Sequence, residues 1–140
     1  MLKLVFDTNT YISGFLWEGN EAELIRHIEH KKATAFISKE ILEEIDRVIR
    51  RDKFAKILMN SDITPEEILA KIASISVIII GPKLKENVVK EDKSDNKFIE
   101  CALNAKADII VSGDRHLLKI REFMGIKIMR TADALKLCRY

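Results

Sequence analysis

The sequence predicts a three-layer α/β/α fold built on a central parallel sheet. Short apolar runs alternate with helical segments along all 140 residues. Helix-start signals stand between the runs, and several runs end in a polar residue where the chain must turn. Strands that alternate with helices pair in parallel and are covered by helices on both faces, with right-handed crossovers between them. The length fits one domain, residues 1–140, large enough to bury its own core.

The elements follow in order. Leu2 to Phe6 is an apolar run ending at Asp7 and reads as a buried strand. Asn20-Glu21-Ala22-Glu23 has the form of a capping box and opens a helix to about Lys32. Ala35 to Ile37 is a short strand, after which Ser38 caps a helix through about Arg51. Thr64-Pro65-Glu66-Glu67 is a second capping box, with proline at the first helical position where its missing N–H costs little. The helix it opens runs to about Ser74. Ser76 to Ile80 is a β-branched strand stopped by Gly81-Pro82, and Lys83 to Lys93 is polar and loop-like. Ser94 or Asp95 begins a helix to about Lys106. A strand lies within Asp108 to Ser112, Arg115 to Phe123 reads as helical, Ile126 to Met129 as a strand, and Thr131 starts a last helix.

Apolar residues make up 47% of the chain and charged residues 33%, the profile of a soluble globular protein. No apolar run is long enough to span a bilayer. The opening MLKLVFDTNT turns acidic too soon for a signal peptide, so a cytoplasmic location is expected. Cys101 and Cys138 are widely separated and read as ordinary thiols of a reducing compartment. A chain rich in Ile, Lys and Glu and without glutamine leans toward a thermophilic source. The net charge of +2 does not announce a nucleic-acid binder, so any attraction to phosphate must come from local patches.

In open α/β sheets ligands bind at the carboxyl ends of the strands, and polar residues there carry the functional argument. Asp7 ends the first strand. Asp114 follows Val111-Ser112-Gly113 at the end of another. Both strands are short and apolar, hence central, and their acids face one crevice. The alternative is that each caps the following helix. That alternative is live for Asp114, which precedes Arg115-His116-Leu117-Leu118, and weaker for Asp7, where Thr8, Asn9 or Ser13 can cap instead.

Glu44 and Asp95 need helical angles. Ile41, Leu42, Ile45, Val48 and Ile49 form one stripe. Glu44 falls at its edge beside Val48, whereas Glu43 points away; on pattern alone an ordinary flanking acid is the better reading of Glu44. Phe98, Ile99, Ala102 and Leu103 form the buried face of a later helix, and Asp95 sits over that face in its first turn. A carboxylate there is also favoured by the helix dipole, but an acid over an apolar face calls for a partner. Several acids in one crevice cannot all ionise without a counter-charge. Oxygen-only ligands suit Mg²⁺ or Mn²⁺, and such an ion can activate water for attack on phosphorus. The reaction class is phosphodiester hydrolysis.

These residues resemble the motifs of PIN domains. Asp7-Thr8-Asn9 with Ser13 is similar to the opening motif. Ser38 to Ile49, holding Glu44, is similar to the second acidic helix. Asp92-Lys93-Ser94-Asp95 running into Phe98-Ile99-Glu100-Cys101-Ala102 resembles the third motif. Ala107-Asp108 to Ser112-Gly113-Asp114, with Leu117-Leu118, resembles the fourth, serine standing where threonine is common. Each motif alone is weak; four in order over nearly the whole chain are specific. The resemblance implies a PIN fold, ribonuclease activity and a Mg²⁺ or Mn²⁺ site at Asp7, Glu44, Asp95 and Asp114. It assigns Asn9 and Ser112 to steadying the acids and Asp92 to a further, lesser acid. It extends to VapC-like toxins of toxin–antitoxin pairs, implying RNA as substrate, an antitoxin protein as partner and a homodimer.

Other features weigh less. His27 and His30 have chelating spacing, but no third ligand completes a site, and solvated surface histidines are the simpler reading. His116 near the mouth of the crevice reads as a surface residue. Arg47, Arg50, Arg51, Lys53 and Lys56 form a basic run after Glu44 that either guides an RNA backbone or solvates a helix end. Tyr11, Phe15 and Trp17 can stack on bases, with core packing or a subunit contact as the plainer role. Gly14 and Gly19 are isolated, and no Walker lysine is present. A haloacid-dehalogenase-type phosphatase is a competing reading, but it needs an acid where Asn9 stands. A non-catalytic binding module on a PIN scaffold is another, disfavoured because all four acids are present.

Overall fold

The computed structural model describes residues 1–84, 87–90 and 92–138. Six strands form one sheet in the order β3-β2-β1-β4-β6-β5. β1 (Leu2–Phe6), β2 (Ala33–Ile37), β3 (Ser76–Ile78), β4 (Ile109–Val111) and β6 (Ile126–Met129) run parallel, and β5 (Glu122–Phe123) pairs antiparallel with β6 at one edge. The mixed sheet carries helices in two outer layers, the three-layer arrangement expected of the sequence. Helix α6 (Asn96–Ala105) packs on β1, β2 and β4, while α2 (Asn20–Glu29) packs on β2, α8 (Thr131–Cys138) on β4, and α2 and α8 touch each other.

β1 is flanked on one side by β2 and on the other by β4, so the strand order reverses about it. That is the switch point at which an α/β sheet opens a crevice. Leu4, Val5, Phe6, Ile110 and Val111 are fully buried there. Each such side chain contributes roughly 1.5–3 kcal/mol, and together they hold the strand ends where burial of a carboxylate is otherwise unfavourable.

The local signals act largely as read. Ser38 caps α3 (Lys39–Ile49) by accepting from Ile41 N, and Ile41, Ile45, Val48 and Ile49 are its buried stripe. Thr64 caps α5 (Pro65–Ile75) by accepting from Glu67 N at 3.1 Å. Three expectations are corrected. Asn20 is the first residue of α2 rather than its cap; Gly19 occupies the cap position at φ 146°, with no side-chain bond. The third strand closes at Ile78, although Ile79 N still donates to Ile37 O at 2.8 Å. The segment read as helical to Phe123 is helical only over α7 (Arg115–Leu118). Its continuation becomes β5 because Met124 and Gly125 both take positive φ, 49° and 83°, and turn the chain as a two-residue hairpin onto β6. Helices α1 (Thr8–Leu16) and α4 (Asp52–Asn60) are additional to the elements read from the sequence. The expected loop from Lys83 to Lys93 lies partly outside the described residues; Asn96 anchors what is described, its Oδ1 accepting from Val88 N and Val89 N, both at 2.9 Å.

Candidate active site

Asp7 leaves β1 directly into α1 and is 5% exposed. One carboxylate oxygen accepts from Thr10 N at 2.9 Å and Thr10 Oγ1 at 2.6 Å. The other accepts a short hydrogen bond from Ser112 Oγ. That same Ser112 oxygen accepts from Asp114 N at 2.9 Å, so one buried hydroxyl ties the acid at the end of β1 to the acid beyond β4. Asp114 in turn caps α7, its Oδ1 accepting from His116 N at 2.7 Å. Both aspartates therefore cap helices and also face the crevice. For Asp7 this corrects the expectation that a neighbouring side chain would cap.

Asp95 closes a 3₁₀ turn (Lys93–Asp95) that leads into α6, so it stands one residue ahead of the α-helix proper. It is 8% exposed, and its Oδ2 is buried with no hydrogen-bond partner among the described residues. Asp92 starts that turn, and its Oδ1 accepts from Ser94 N and Ser94 Oγ. Asp92, Asp95 and Asp114 each bring a carboxylate oxygen to within 4.8 Å of the others. Among the described residues this is the one cluster of side chains with metal-ligand geometry. Asp92, ranked below the four principal acids on sequence, is thus a member of the tightest group.

Glu44 projects from α3 into the same cleft, but it arrives with partners. Lys97 Nζ donates to its Oε1 at 2.9 Å, and Thr8 Oγ1 donates to its Oε2. The Lys97–Glu44 pair is largely withdrawn from solvent, with side chains 15% and 17% exposed. Lys97 and Thr8 were not singled out from sequence. Thr8 sits inside a recognised motif, but nothing in local spacing links Lys97 to a residue 53 positions away.

Burial dominates the electrostatics. It raises the Asp7 carboxyl above the ordinary carboxylate range, the bonds from Ser112 and Thr10 pull it back down, and Asp114 adds repulsion. Asp95 is pushed up to about 7, first by burial and then by the charges of Asp114, Asp92, Glu44 and Asp7. A carboxylate in this condition is stabilised by protonation or by a cation.

The cleft has a volume of about 190 Å³ and opens among Asp7, Glu44, Asp92, Asp95 and Asp114. Arg51 and Lys53 stand on its wall, and so does the exposed Asn9. Asn9 was expected to steady Asp7; the bonds to Asp7 come from Thr10 and Ser112 instead. Of the expected phosphate-binding arginines, Arg51 reaches the cleft wall. Arg50 is held on the surface by Asp46 at 2.6 Å and Glu66 at 3.0 Å, and Arg47 is exposed away from the wall. His27 and His30 belong to no metal-ligating group among the described residues. Burial pushes the Cys101 thiol up to about 12, which keeps it protonated and inert. Tyr11 is fully buried, with its hydroxyl 2.9 Å from Ser76 Oγ.

A mostly parallel sheet with acids gathered at its switch point defines the class of α/β proteins whose site offers oxygen ligands to a hard cation. Residues 3–116 match the PIN domain family, and the chain belongs to that family. It is also 36% identical over 122 residues to an uncharacterized protein of Methanocaldococcus jannaschii, a match covering 86% of this chain and 76% of that protein. PIN domains form a nuclease superfamily of generally metal-dependent hydrolases, so the family places the protein with the nucleases rather than with the haloacid-dehalogenase-type phosphatases. The fit to a hard cation can be judged from the side chains. The donors are all carboxylate oxygens, and among the described residues the buried Asp95 Oδ2 has no hydrogen-bond partner. Among the described residues no helix is long and apolar enough to cross a membrane.

Proposed function

We propose that the protein is a Mg²⁺- or Mn²⁺-dependent endoribonuclease that hydrolyses internal phosphodiester bonds of RNA with water as the nucleophile. The observation that carries this reading is Asp95, whose Oδ2 is buried with no hydrogen-bond partner among the described residues and whose carboxylate brings an oxygen to within 4.8 Å of those of Asp92 and Asp114. A native fold leaves such a group without a partner rarely and at a cost. When bound, a divalent ion supplies Lewis-acid chemistry at the scissile phosphate and lowers the pKa of water.

The side chains divide the remaining work. Asp92, Asp95 and Asp114 offer the closest set of ligand oxygens. Asp7 adds a carboxylate whose orientation is set by Thr10 and Ser112, so little reorganisation is needed when substrate arrives. Glu44, its charge offset by Lys97, borders the site and is available to a second ion or to the attacking water. Arg51 and Lys53 supply positive charge on the wall along which a phosphate backbone would lie. Water attacks phosphorus, one P–O ester bond breaks, and the chain is cut into two ends.

On the resemblance to VapC-like toxins we extend the proposal to the toxin half of a toxin–antitoxin pair and to a homodimer. A short upstream reading frame for a DNA-binding antitoxin supports that role, and its absence favours a stand-alone nuclease. The catalytic reading is tested with single-stranded RNA. The parent should cleave with Mg²⁺ or Mn²⁺ and stop on adding EDTA. Asp7→Asn should lose more than about 100-fold in rate, beyond the ~10–100-fold typical of residues behind the metal ligands, with an unchanged far-UV spectrum. A folded Asp7→Asn protein that cleaves as fast as the parent overturns the assignment.

A further inference from the structure

Beyond the acidic cleft the surface holds an aromatic side chain that the hydrolytic reading does not use. Trp17 follows α1, the helix that Asp7 caps, and is 49% exposed. Trp17 lies ten positions beyond Asp7 along largely helical chain, a rise of about 15 Å at ~1.5 Å per residue. Its indole is not isolated on that surface. It packs against Phe54 with ring centroids 6.2 Å apart, tilted by 51°. Phe54 is buried and fixed, and Lys53 Nζ lies 5.0 Å from the centre of its ring. Lys53 and Arg51 are the two basic residues on the cleft wall. Lys53 on the cleft wall and the exposed indole of Trp17 thus meet on one buried ring, Phe54, which sets positive charge next to the carboxylates and an aromatic face beyond it. Trp17 also borders a hollow of mixed charge that holds Glu18, Arg26, Glu29 and Lys71.

We propose that this surface is a second RNA subsite, with Trp17 stacking on an unpaired base a few nucleotides from the phosphodiester held in the cleft, and Arg51 and Lys53 meeting the phosphates between. Single-strand binding sites pair positive charge that follows the backbone with aromatic faces that take bases, and both parts are present here in the required order. Stacking demands an unpaired base, so the subsite selects single-stranded segments over duplex. Charge on the cleft side favours nucleic acid over an apolar protein surface, because Arg51 and Lys53 stand on the cleft wall and Lys53 shares the Phe54 ring with the indole, while the far side of Trp17 carries mixed charge. The inference rests on the nuclease reading and deepens it by naming the conformation of RNA that is bound.

Trp17 is the sole tryptophan of the chain, which makes the protein its own probe. A single-stranded RNA oligonucleotide is titrated, in EDTA to prevent cleavage, into the parent and into Trp17→Ala and Trp17→Phe, with fluorescence polarisation of a labelled strand as the parallel readout. Saturable quenching of the indole is expected with single-stranded RNA and not with a duplex of the same sequence. Polarisation should show affinity reduced about 5- to 100-fold in Trp17→Ala, the range that one stacked base carries, and largely restored in Trp17→Phe. With Mg²⁺ present, the loss should appear in KM while kcat stays near the parent value. A parent that cleaves RNA without indole quenching, or a Trp17→Ala protein with unchanged affinity, overturns the subsite and leaves the nuclease intact. Unchanged RNA affinity together with a shifted sedimentation coefficient for Trp17→Ala assigns the indole to a protein contact and equally overturns it. A parent that neither binds nor cleaves RNA overturns the nuclease reading and this inference with it.

Discussion

The two ends of the central β1–β4 pair use the same residue type to opposite effect. At the amino end Asp108 is exposed and accepts from Lys3 N at 2.9 Å, and the hollow beside it also contains Lys32 and Lys127. Water, a backbone N–H and nearby cations meet every need of that carboxylate. At the carboxyl end Asp7 and Asp95 are buried, Asp114 is half-buried, and the acids repel one another. The difference comes from the chain path rather than from composition. The helices α1 and α6 and the turn before α6 close over the carboxyl ends of the strands and exclude solvent there, while the amino ends stay open. An acid at the open end is a structural detail; acids at the closed end form a site.

The contrast breaks first on Ser112. Its hydroxyl serves Asp7 and Asp114 together, whereas Asp108 at the amino end is met by a backbone N–H, that of Lys3. Ser112→Ala should reduce RNA cleavage about 10- to 100-fold, as loss of a ligand-orienting group does. Ser112→Thr keeps the hydroxyl and should cleave near the parent rate, and Asp108→Ala should leave cleavage unchanged. Steady-state rates of the three variants decide the matter, and equal losses at Ser112 and Asp108 would erase the distinction between the two ends.

The next largest effect concerns stability without metal. The Asp95 carboxyl is held up to about 7 in the folded chain, above its ordinary value of 3.8. Between those values the folded state keeps a proton that the unfolded state gives up. Stability of the metal-free protein should therefore fall as pH rises from about 4 to about 7, and then level off. Asp95→Asn should remove its own part of the slope, leaving the same-sign contribution of the raised Asp7 carboxyl, and should raise stability above pH 7 by an amount on the order of 2–4 kcal/mol. Each kcal/mol is worth roughly 3 °C at this length. Divalent ions should stabilise the parent and have little effect on Asp95→Asn. Calorimetry from pH 4 to pH 8 with and without Mg²⁺ tests this, and a metal-free stability that rises over that range contradicts it.

The smallest change sharpens the comparison inside the cleft. Glu44 carries its own counter-charge in Lys97, whereas the buried Asp95 Oδ2 has no partner among the described residues. Lys97→Met should leave Glu44 repelled by its neighbours and lower metal-free stability by about 1–3 kcal/mol, the penalty for a charged group that loses its partner. Mg²⁺ should recover part of that loss, because the freed carboxylate joins the ligand set. An unaltered melting temperature with and without Mg²⁺ would show that Lys97 contributes nothing to the balance of charge.

The individual residues show why the sequence was legible in some places and not in others. Asp7 and Asp114 were visible because each follows an apolar run, and in an α/β fold the end of such a run is a defined place. Asp95 was visible because it stands over an apolar face. The β5 strand was hidden because Leu117, Leu118, Ile120 and Phe123 repeat at helical spacing, and a hairpin turn made by Met124 and Gly125 has only one glycine to signal it. Helix α1 was hidden because its cap, Asp7, already had a functional role, and one side chain fills both.

By itself the sequence determined the alternation of elements, the parallel sheet and the residues that end its central strands, because periodicity, capping and turn chemistry act over a few residues. Only the tertiary structure decided which acids share a site. Asp92 joins Asp95 and Asp114 in the tightest cluster, Glu44 is met by Lys97, and Arg50 is drawn off to Asp46 and Glu66. Those outcomes depend on distances between segments far apart in the chain and on the exclusion of water from one end of the sheet, and neither is encoded in local spacing.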